Sequence, residues 1–169
     1  MDKVSITSTI NGRERTGTIP ARMLLTDYLR HELRLVGTHV GCEHGVCGSC
    51  TVNIDGQPTR ACLMFAVQID GAHVTTVEGL GEADSLGLIQ HAFWEEHGLQ
   101  CGFCTPGMLM VADDLLRNNP DPSDAEIREA ISANLCRCTG YEQIVNAVRS
   151  AGSKLRQAGG TNKAVEMAQ

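Results

Sequence analysis

Eight thiols dominate the chemistry open to this chain, and they fall into two sets of four. Cys42, Cys47 and Cys50 share one stretch, Cys42-Glu43-His44-Gly45-Val46-Cys47-Gly48-Ser49-Cys50, and Cys62 follows after a gap of eleven residues. The second set is two close pairs, Cys101-Gly102-Phe103-Cys104 and Cys136-Arg137-Cys138, separated by 31 residues. Thiolates are soft ligands, and four that converge suit zinc or an iron–sulfur core. The spacing of the first set puts three sulfurs on one tight loop. Gly41, Gly45 and Gly48 let its backbone close around an inorganic core and aim N–H groups at the sulfurs.

C-x4-C-x2-C with a fourth Cys after a gap is the spacing of plant-type [2Fe–2S] ferredoxins. Two ferric ions, two sulfides and four thiolates sum to minus two, so N–H dipoles aimed at sulfur both hold and tune such a site. Cys42-Glu43-His44 also raises a Rieske-type site with histidine ligands. The companion stretch Cys47-Gly48-Ser49-Cys50 ends in Cys, so His44 and His39 are read as solvated loop or interface residues. For the second set, spacing alone leaves zinc, a second [2Fe–2S] core and a redox-active C-x-x-C open. In favour of iron–sulfur, both pairs sit at predicted helix N-termini, where dipole and free N–H groups favour an anionic cluster. C-x-C is also an unusual zinc spacing.

The bulk of the chain narrows the classes further. Its 169 residues allow one large domain or two small ones, and a net charge of -6 argues against nucleic acid or an anionic membrane as partner. No apolar run approaches the roughly 18 residues a membrane span requires. Met1-Asp2-Lys3-Val4-Ser5-Ile6 lacks the basic and apolar regions of a secretory signal, so the expected location is the cytoplasm. There, clustered Cys residues more often bind metal than form bridges. Only six residues are aromatic, and a core so poor in large rings gains from cofactors that cross-link it.

The elements that must position the thiols follow from periodicity. Residues 4–10 alternate as a half-buried strand, with Ser8 the one polar residue on the apolar side. Asn11-Gly12 then marks a hairpin into a second strand over 15–19. Leu25, Leu29 and Leu33 recur at helical spacing after Pro20. Thr51–Ile54, an Asp55-Gly56 turn, a return over 60–63 and a last strand over 74–77 complete an α+β unit. Gly79-Leu80-Gly81 marks a boundary, beyond which four helices are predicted. The first covers 85–97 with Gly98 as its stop, and the second is capped by Thr105 with Pro106 at its first position. The third opens on the capping box Ser123-Asp124-Ala125-Glu126, and the fourth covers 141–155. The expected domains are therefore 1–79 and 80–156, with a loose tail over 157–169. His91 and His97 have no companions at ligand spacing and are read as surface residues. Arg137, between two candidate ligands, is read as bonding a partner or stabilising an anionic cluster. No glycine-rich turn matches a phosphate-binding fingerprint.

Taken jointly, three motifs carry a specific resemblance. They are Gly41-Cys42-x4-Cys47-Gly48-Ser49-Cys50-Thr51-Val52 with Cys62, then Gln100-Cys101-Gly102-Phe103-Cys104-Thr105-Pro106-Gly107, then Asn134-Leu135-Cys136-Arg137-Cys138-Thr139-Gly140-Tyr141. Over roughly residues 4–155 the chain resembles the iron–sulfur subunit of the xanthine oxidase family of molybdenum hydroxylases.

The resemblance implies a β-grasp, plant-type ferredoxin domain followed by an all-α four-helix bundle, each binding one [2Fe–2S] cluster. It implies Cys42, Cys47, Cys50 and Cys62 as ligands of a flavin-side cluster. Cys101, Cys104, Cys136 and Cys138 become ligands of a molybdenum-side cluster, with Gln100 and Cys138 approaching a molybdopterin of cytosine dinucleotide type. The chain is too short for molybdenum or flavin domains. The resemblance therefore implies a large molybdopterin subunit and a medium FAD subunit as partners, in a dimer of heterotrimers. The implied reaction is hydroxylation with water-derived oxygen, electrons leaving molybdenum singly through the two clusters to flavin, with no substrate chemistry on this chain. The loop Glu43-His44-Gly45-Val46 is closest to small subunits of N-heteroaromatic hydroxylases; carbon monoxide and aldehyde dehydrogenases of the family are the alternative. Outside the family, the competing reading is a free-standing ferredoxin with a zinc-stapled helical binding module.

Overall fold

The N-terminal half builds a mixed five-stranded sheet because its apolar residues alternate and its turns carry residues that accept positive φ. A computed structural model describes residues 2–82 and 84–159. Strands β1 (Lys3–Ile10) and β2 (Arg13–Pro20) form a hairpin across Asn11 (φ 49) and Gly12 (φ 73), with Ile10 opposite Arg13. Ile6, Ser8 and Ile10 all face inward, so the polar interruption at Ser8 does sit on the buried face. Strands β3 (Thr51–Ile54), β4 (Gln57–Arg60) and β5 (His73–Thr75) complete the order β2-β1-β5-β3-β4. Among the described strands, only β1 and β5 run parallel. The return strand lies earlier than the predicted 60–63. Asp55 and Gly56 form a two-residue turn with φ 49 and 84, which forces pairing to resume at once with Ile54 opposite Gln57.

The leucine stripe after Pro20 gives one α-helical turn, α1 (Leu25–Asp27), which widens into a π-helical segment over Tyr28–Glu32. Its closing bond runs from the Leu33 N–H to the Tyr28 carbonyl, five residues back. Tyr28, Leu25 and Leu29 are buried against the sheet together with Val52, Ile69 and Val74.

Four further helices follow: α2 (Leu88–Glu95), α3 (Thr105–Asn118), α4 (Asp124–Ser132) and α5 (Glu142–Gln157). They enclose a second core of Ile89, Phe93, Met108, Leu116, Ile127, Ile131, Ile144 and Val148. α2 is shorter than predicted, because Glu82 and Ser85 form a bridge and the chain crosses Leu80 closely at Gly87. Its left-handed terminator is His97 (φ 54), while the Gly98 N–H closes onto the Phe93 carbonyl at 2.8 Å. Glycine at 98 answers a packing need, since a Cβ there would lie 3.0 Å from the Phe93 ring. The Ser123 box forms as predicted: Glu126 N–H donates to Ser123 Oγ, and Ser123 N–H donates to Glu126 Oε2. Gln157 belongs to α5, and the rest of the predicted loose tail beyond Gly159 lies outside the described residues.

α3 is the spine of the molecule. One face carries Met108, Ala112 and Leu116 into the helical core, while the buried Met110 and Val111 belong to the side facing β3 and β4. Every residue from Pro106 to Ala112 is buried, so the first half of α3 is covered on both sides, and those two sides belong to the two halves of the chain. Val77 and Leu80, at the predicted boundary, already pack on the helical core. Among the described residues, no helix is long and apolar enough to cross a membrane.

Candidate metal centres

All eight cysteines are free thiols, and the fold gathers them into two groups. The first group is held by a loop that forms no helix or strand between residues 39 and 48. Its approach is pinned by Arg30, which donates to the Val36 and Thr38 carbonyls at 2.7 and 2.8 Å, and by the Gly37 N–H on Glu78 Oε1 at 2.8 Å. Positive φ at Glu43, Gly45 and Gly48 coils the backbone so that N–H groups point inward. The Cys47 N–H meets Cys42 Sγ at 3.4 Å, and a Cβ at Gly41 would crowd Cys47 Sγ at 3.1 Å. Cys62 arrives on the 3-10 turn Ala61–Leu63 that follows β4, close enough to Cys50 for their thiols to hydrogen-bond.

The environments of these thiols differ sharply. The N–H groups of Cys47 and His44 hold Cys42 down to about 6, whereas burial pushes Cys50 up to about 11. A buried thiol of this kind ionises only when a cation takes the charge, which is what a coordinating iron supplies.

The second group assembles from two segments. Cys104 is the residue preceding α3, where the Thr105 N–H turns back to the Gly102 carbonyl at 3.2 Å. The predicted cap at Thr105 does not form: its hydroxyl is buried with no partner among the described residues, because Thr105 already lies inside the helix. Cys136 and Cys138 lie in the connection between α4 and α5, several residues ahead of the α5 N-terminus. The expectation that this pair sits at a helix start therefore holds for Cys101 and Cys104 only. Gly140 (φ 65) and Tyr141 (φ 71) are both left-handed, so the chain reverses before α5 begins.

Cys138 Sγ lies 3.5 Å from Cys101 Sγ, and Cys104 and Cys136 are neighbours in the same way. The first pair is exposed and the second is sheltered, with burial pushing Cys104 up to about 12. Burial also raises Cys136, but the Thr139 hydroxyl and the N–H groups of Thr139 and Cys138 outweigh it and leave the thiol below its usual value. Sulfurs thus come in pairs, and among the described residues no three His, Cys, Asp or Glu side chains close around a single point. By ligand count, four gathered thiolates suit a binuclear iron–sulfur core or tetrahedral zinc.

The two centres meet directly. The Leu135 N–H, one residue before Cys136, donates to the carbonyl of Cys47 at 2.9 Å. Gly48 and Gly107 bring the two backbones together: a Cβ at Gly107 would lie 2.2 Å from the Gly48 carbonyl oxygen. The buried Asn134 amide fills the remaining gap, since a Cβ at Gly48 would strike its Oδ1 at 2.1 Å. Arg60 joins from the sheet side, donating to Thr51 Oγ1 and to the Ala133 carbonyl. His39, read from sequence as a solvated loop or interface residue, is half-buried at this junction. It stacks on Phe103 at 5.0 Å and donates from Nδ1 to the Phe103 carbonyl at 2.8 Å.

The remaining predicted residues stay outside the junction. Gln100, Arg137 and His44 are exposed, as are His91, which faces Glu95 at 3.4 Å, and His97. Arg60, Asn134, Thr139 and Tyr141 received no role from the sequence. The last three lie within the Asn134–Tyr141 motif, and the glycine-dense loops were the signal that backbones approach there.

Comparison with known proteins agrees with this construction. A family model described as "2Fe-2S iron-sulfur cluster binding domain" matches residues 27–86, and one described as "[2Fe-2S] binding domain" matches residues 76–149. The gamma subunit of caffeine dehydrogenase from Pseudomonas sp. (strain CBB1) is 57% identical over 148 residues, covering 86% of this chain and 89% of that one. The small subunit of nicotine 6-hydroxylase from Paenarthrobacter nicotinovorans is 50% identical, covering 91% and 93%. The structure of quinoline 2-oxidoreductase from Pseudomonas putida 86 superposes with a TM-score of 0.90 at 48% identity, covering 95% of this chain and 100% of the matched one. Its two cysteine sets, its two-part fold and these relatives together make this chain an iron–sulfur, electron-transfer subunit of the xanthine oxidase family of molybdenum hydroxylases.

Proposed function

We propose that the chain carries two [2Fe–2S] clusters, one on Cys42, Cys47, Cys50 and Cys62 and one on Cys101, Cys104, Cys136 and Cys138. The observation that carries this reading is the gathering of eight free thiols into two paired sets whose loops touch through Leu135 and Cys47. When bound, such clusters supply one-electron transfer between a molybdopterin on a large partner and FAD on a medium partner, during hydroxylation of an N-heteroaromatic compound with oxygen from water. The substrate class rests on the relatives, whose names specify caffeine, nicotine and quinoline.

The residues of this chain hold the sulfurs and tune them. N–H groups from Cys47 and His44 stabilise negative charge at Cys42, while burial at Cys50 and Cys104 keeps water from the inner side of each site. Cys101 and Cys138 open to the surface beside Phe103 and Leu135, which are 48% and 54% exposed. We assign this face to the large subunit, with Gln100 and Cys138 meeting a pterin of the cytosine dinucleotide type. Val46 and Leu63, each 60% exposed, form an apolar rim around Cys42, and we assign that face to the FAD subunit. The chain divides into a ferredoxin domain over 1–79 and a four-helix domain from residue 80 through the end of α5 at Gln157. The assembly is a cytoplasmic dimer of heterotrimers.

Two measurements test the reading. Reduced protein should show two distinct [2Fe–2S] EPR signals and four irons per chain; one signal with stoichiometric zinc would replace it with a ferredoxin carrying a zinc-stapled helical module. Affinity purification from the native host should bring down two larger chains and hydroxylase activity on N-heteroaromatic compounds. Activity confined to aldehydes or carbon monoxide would overturn the substrate assignment.

A further inference from the structure

Around Cys136 the chain builds a small closed hydrogen-bond network. The Thr139 hydroxyl lies 3.0 Å from Cys136 Sγ. The same oxygen accepts the Tyr141 N–H at 3.1 Å. Tyr141 is held left-handed at φ 71, and its hydroxyl returns over the motif. That hydroxyl accepts the Cys136 N–H at 2.8 Å and donates to the Asn134 carbonyl at 3.3 Å. Thr139 is 9% exposed, so water competes little for its proton.

The arrangement fixes the direction of the bond to sulfur. A hydroxyl has one proton to give. Oγ1 of Thr139 is already an acceptor for Tyr141, and a thiolate at Cys136 has no proton to offer. The Thr139 proton therefore points at Cys136 Sγ. Hydrogen bonds to cluster sulfurs are one of the levers that set reduction potential, because they stabilise the more negative, reduced state. Among the described residues, no hydroxyl bonds Cys42, Cys47, Cys50 or Cys62; their donors are N–H groups and neighbouring thiols.

We infer that Thr139 is a potential-tuning residue: its hydroxyl, oriented by the Tyr141 backbone, donates to Cys136 Sγ and raises the reduction potential of the helical-half cluster. It touches a ligand and no reacting substrate atom, so it acts by positioning a proton. The inference rests on the reading of Cys136 as a cluster ligand.

The test uses the full chain with both clusters loaded, in Thr139→Val and Thr139→Ser variants. Potentiometric EPR should move the helical-half midpoint to lower potential in Thr139→Val, restore it in Thr139→Ser, and leave the other cluster's midpoint unmoved in both. Deuteron ENDOR after exchange into D2O should show, beside the Thr139 and Cys138 N–H sites, a further strongly coupled exchangeable site in wild type and Thr139→Ser that is missing in Thr139→Val. An unshifted midpoint with unchanged deuteron coupling would overturn the tuning role while leaving the ligand assignment intact. If Thr139→Val loads no second cluster, a brief D2O pulse on wild type decides: the hydroxyl should label ahead of the hydrogen-bonded amides, and absence of that fast site overturns the inference. Loss of the ligand assignment has a separate signature, an unaltered helical-half signal in Cys136→Ser.

Discussion

The two halves of this chain solve one problem, gathering four thiols, in opposite ways. The ferredoxin half places three of its four on one irregular loop and brings the last from the turn after β4, so most of the site is local in sequence. The helical half takes two from the entry to α3 and two from the connection before α5, so its site exists only when the helices pack. A local loop depends on backbone freedom, at Gly45 and Gly48 and on the Arg30 clamp. A site assembled across helices depends on a core, here Met108, Ile131 and Ile144 among others.

The largest effects should come from the proposed ligands. Cys47→Ser and Cys136→Ser should each abolish one EPR signal and spare the other, read in reduced protein with iron content falling by about half. Loss of both signals from either variant would mean that the halves do not hold their clusters independently.

Next comes the junction. Gly107→Ala ought to stabilise an ordinary helix by ~1 kcal/mol. Here the new Cβ meets the Gly48 carbonyl oxygen at 2.2 Å and Asn134 Nδ2 at 2.7 Å. The expected sign is reversed, a destabilisation of ~1–3 kcal/mol from overpacking, checked by denaturant melts. A neutral or stabilising result would show that the halves can part without cost.

A smaller loss is expected from Arg60→Met, which removes the bonds to Thr51 and the Ala133 carbonyl while keeping an apolar stem. About 1 kcal/mol should disappear, and amide exchange should quicken at the Leu135 N–H, which bonds the other half.

The smallest effect belongs to the helical half alone. Ser123→Ala should lower the thermal midpoint by roughly 2–4 °C at neutral pH through loss of the N-cap. The Ser123 hydroxyl and N–H hold the Glu126 carboxyl below its usual 4.5. A lowered folded value stabilises above 4.5 and is lost as pH falls through it, so the gap between variant and wild type should narrow in acid. A gap that widened in acid would remove Glu126 from the capping box.

Local chemistry made much of this protein legible before any fold was known. The C-x4-C-x2-C spacing, the Asn11-Gly12 and Asp55-Gly56 turns and the Ser123–Glu126 box all act over a few residues, and the sequence determined them by itself. So did the existence of the four later helices and the identity of eight thiols. What the tertiary structure decided is long-range. Thr105 is not the α3 cap because Cys104 precedes it as the boundary residue, and Gly98 is required by the Phe93 ring and not by its φ. His39 meets a carbonyl and a ring of Phe103, 64 residues away. The contact of Leu135 with Cys47, the wedge of Asn134 between two glycines and the closure of Thr139 and Tyr141 on Cys136 were likewise invisible in the sequence. Spacing encodes which residues can share a turn, whereas only packed backbones decide which distant loops touch.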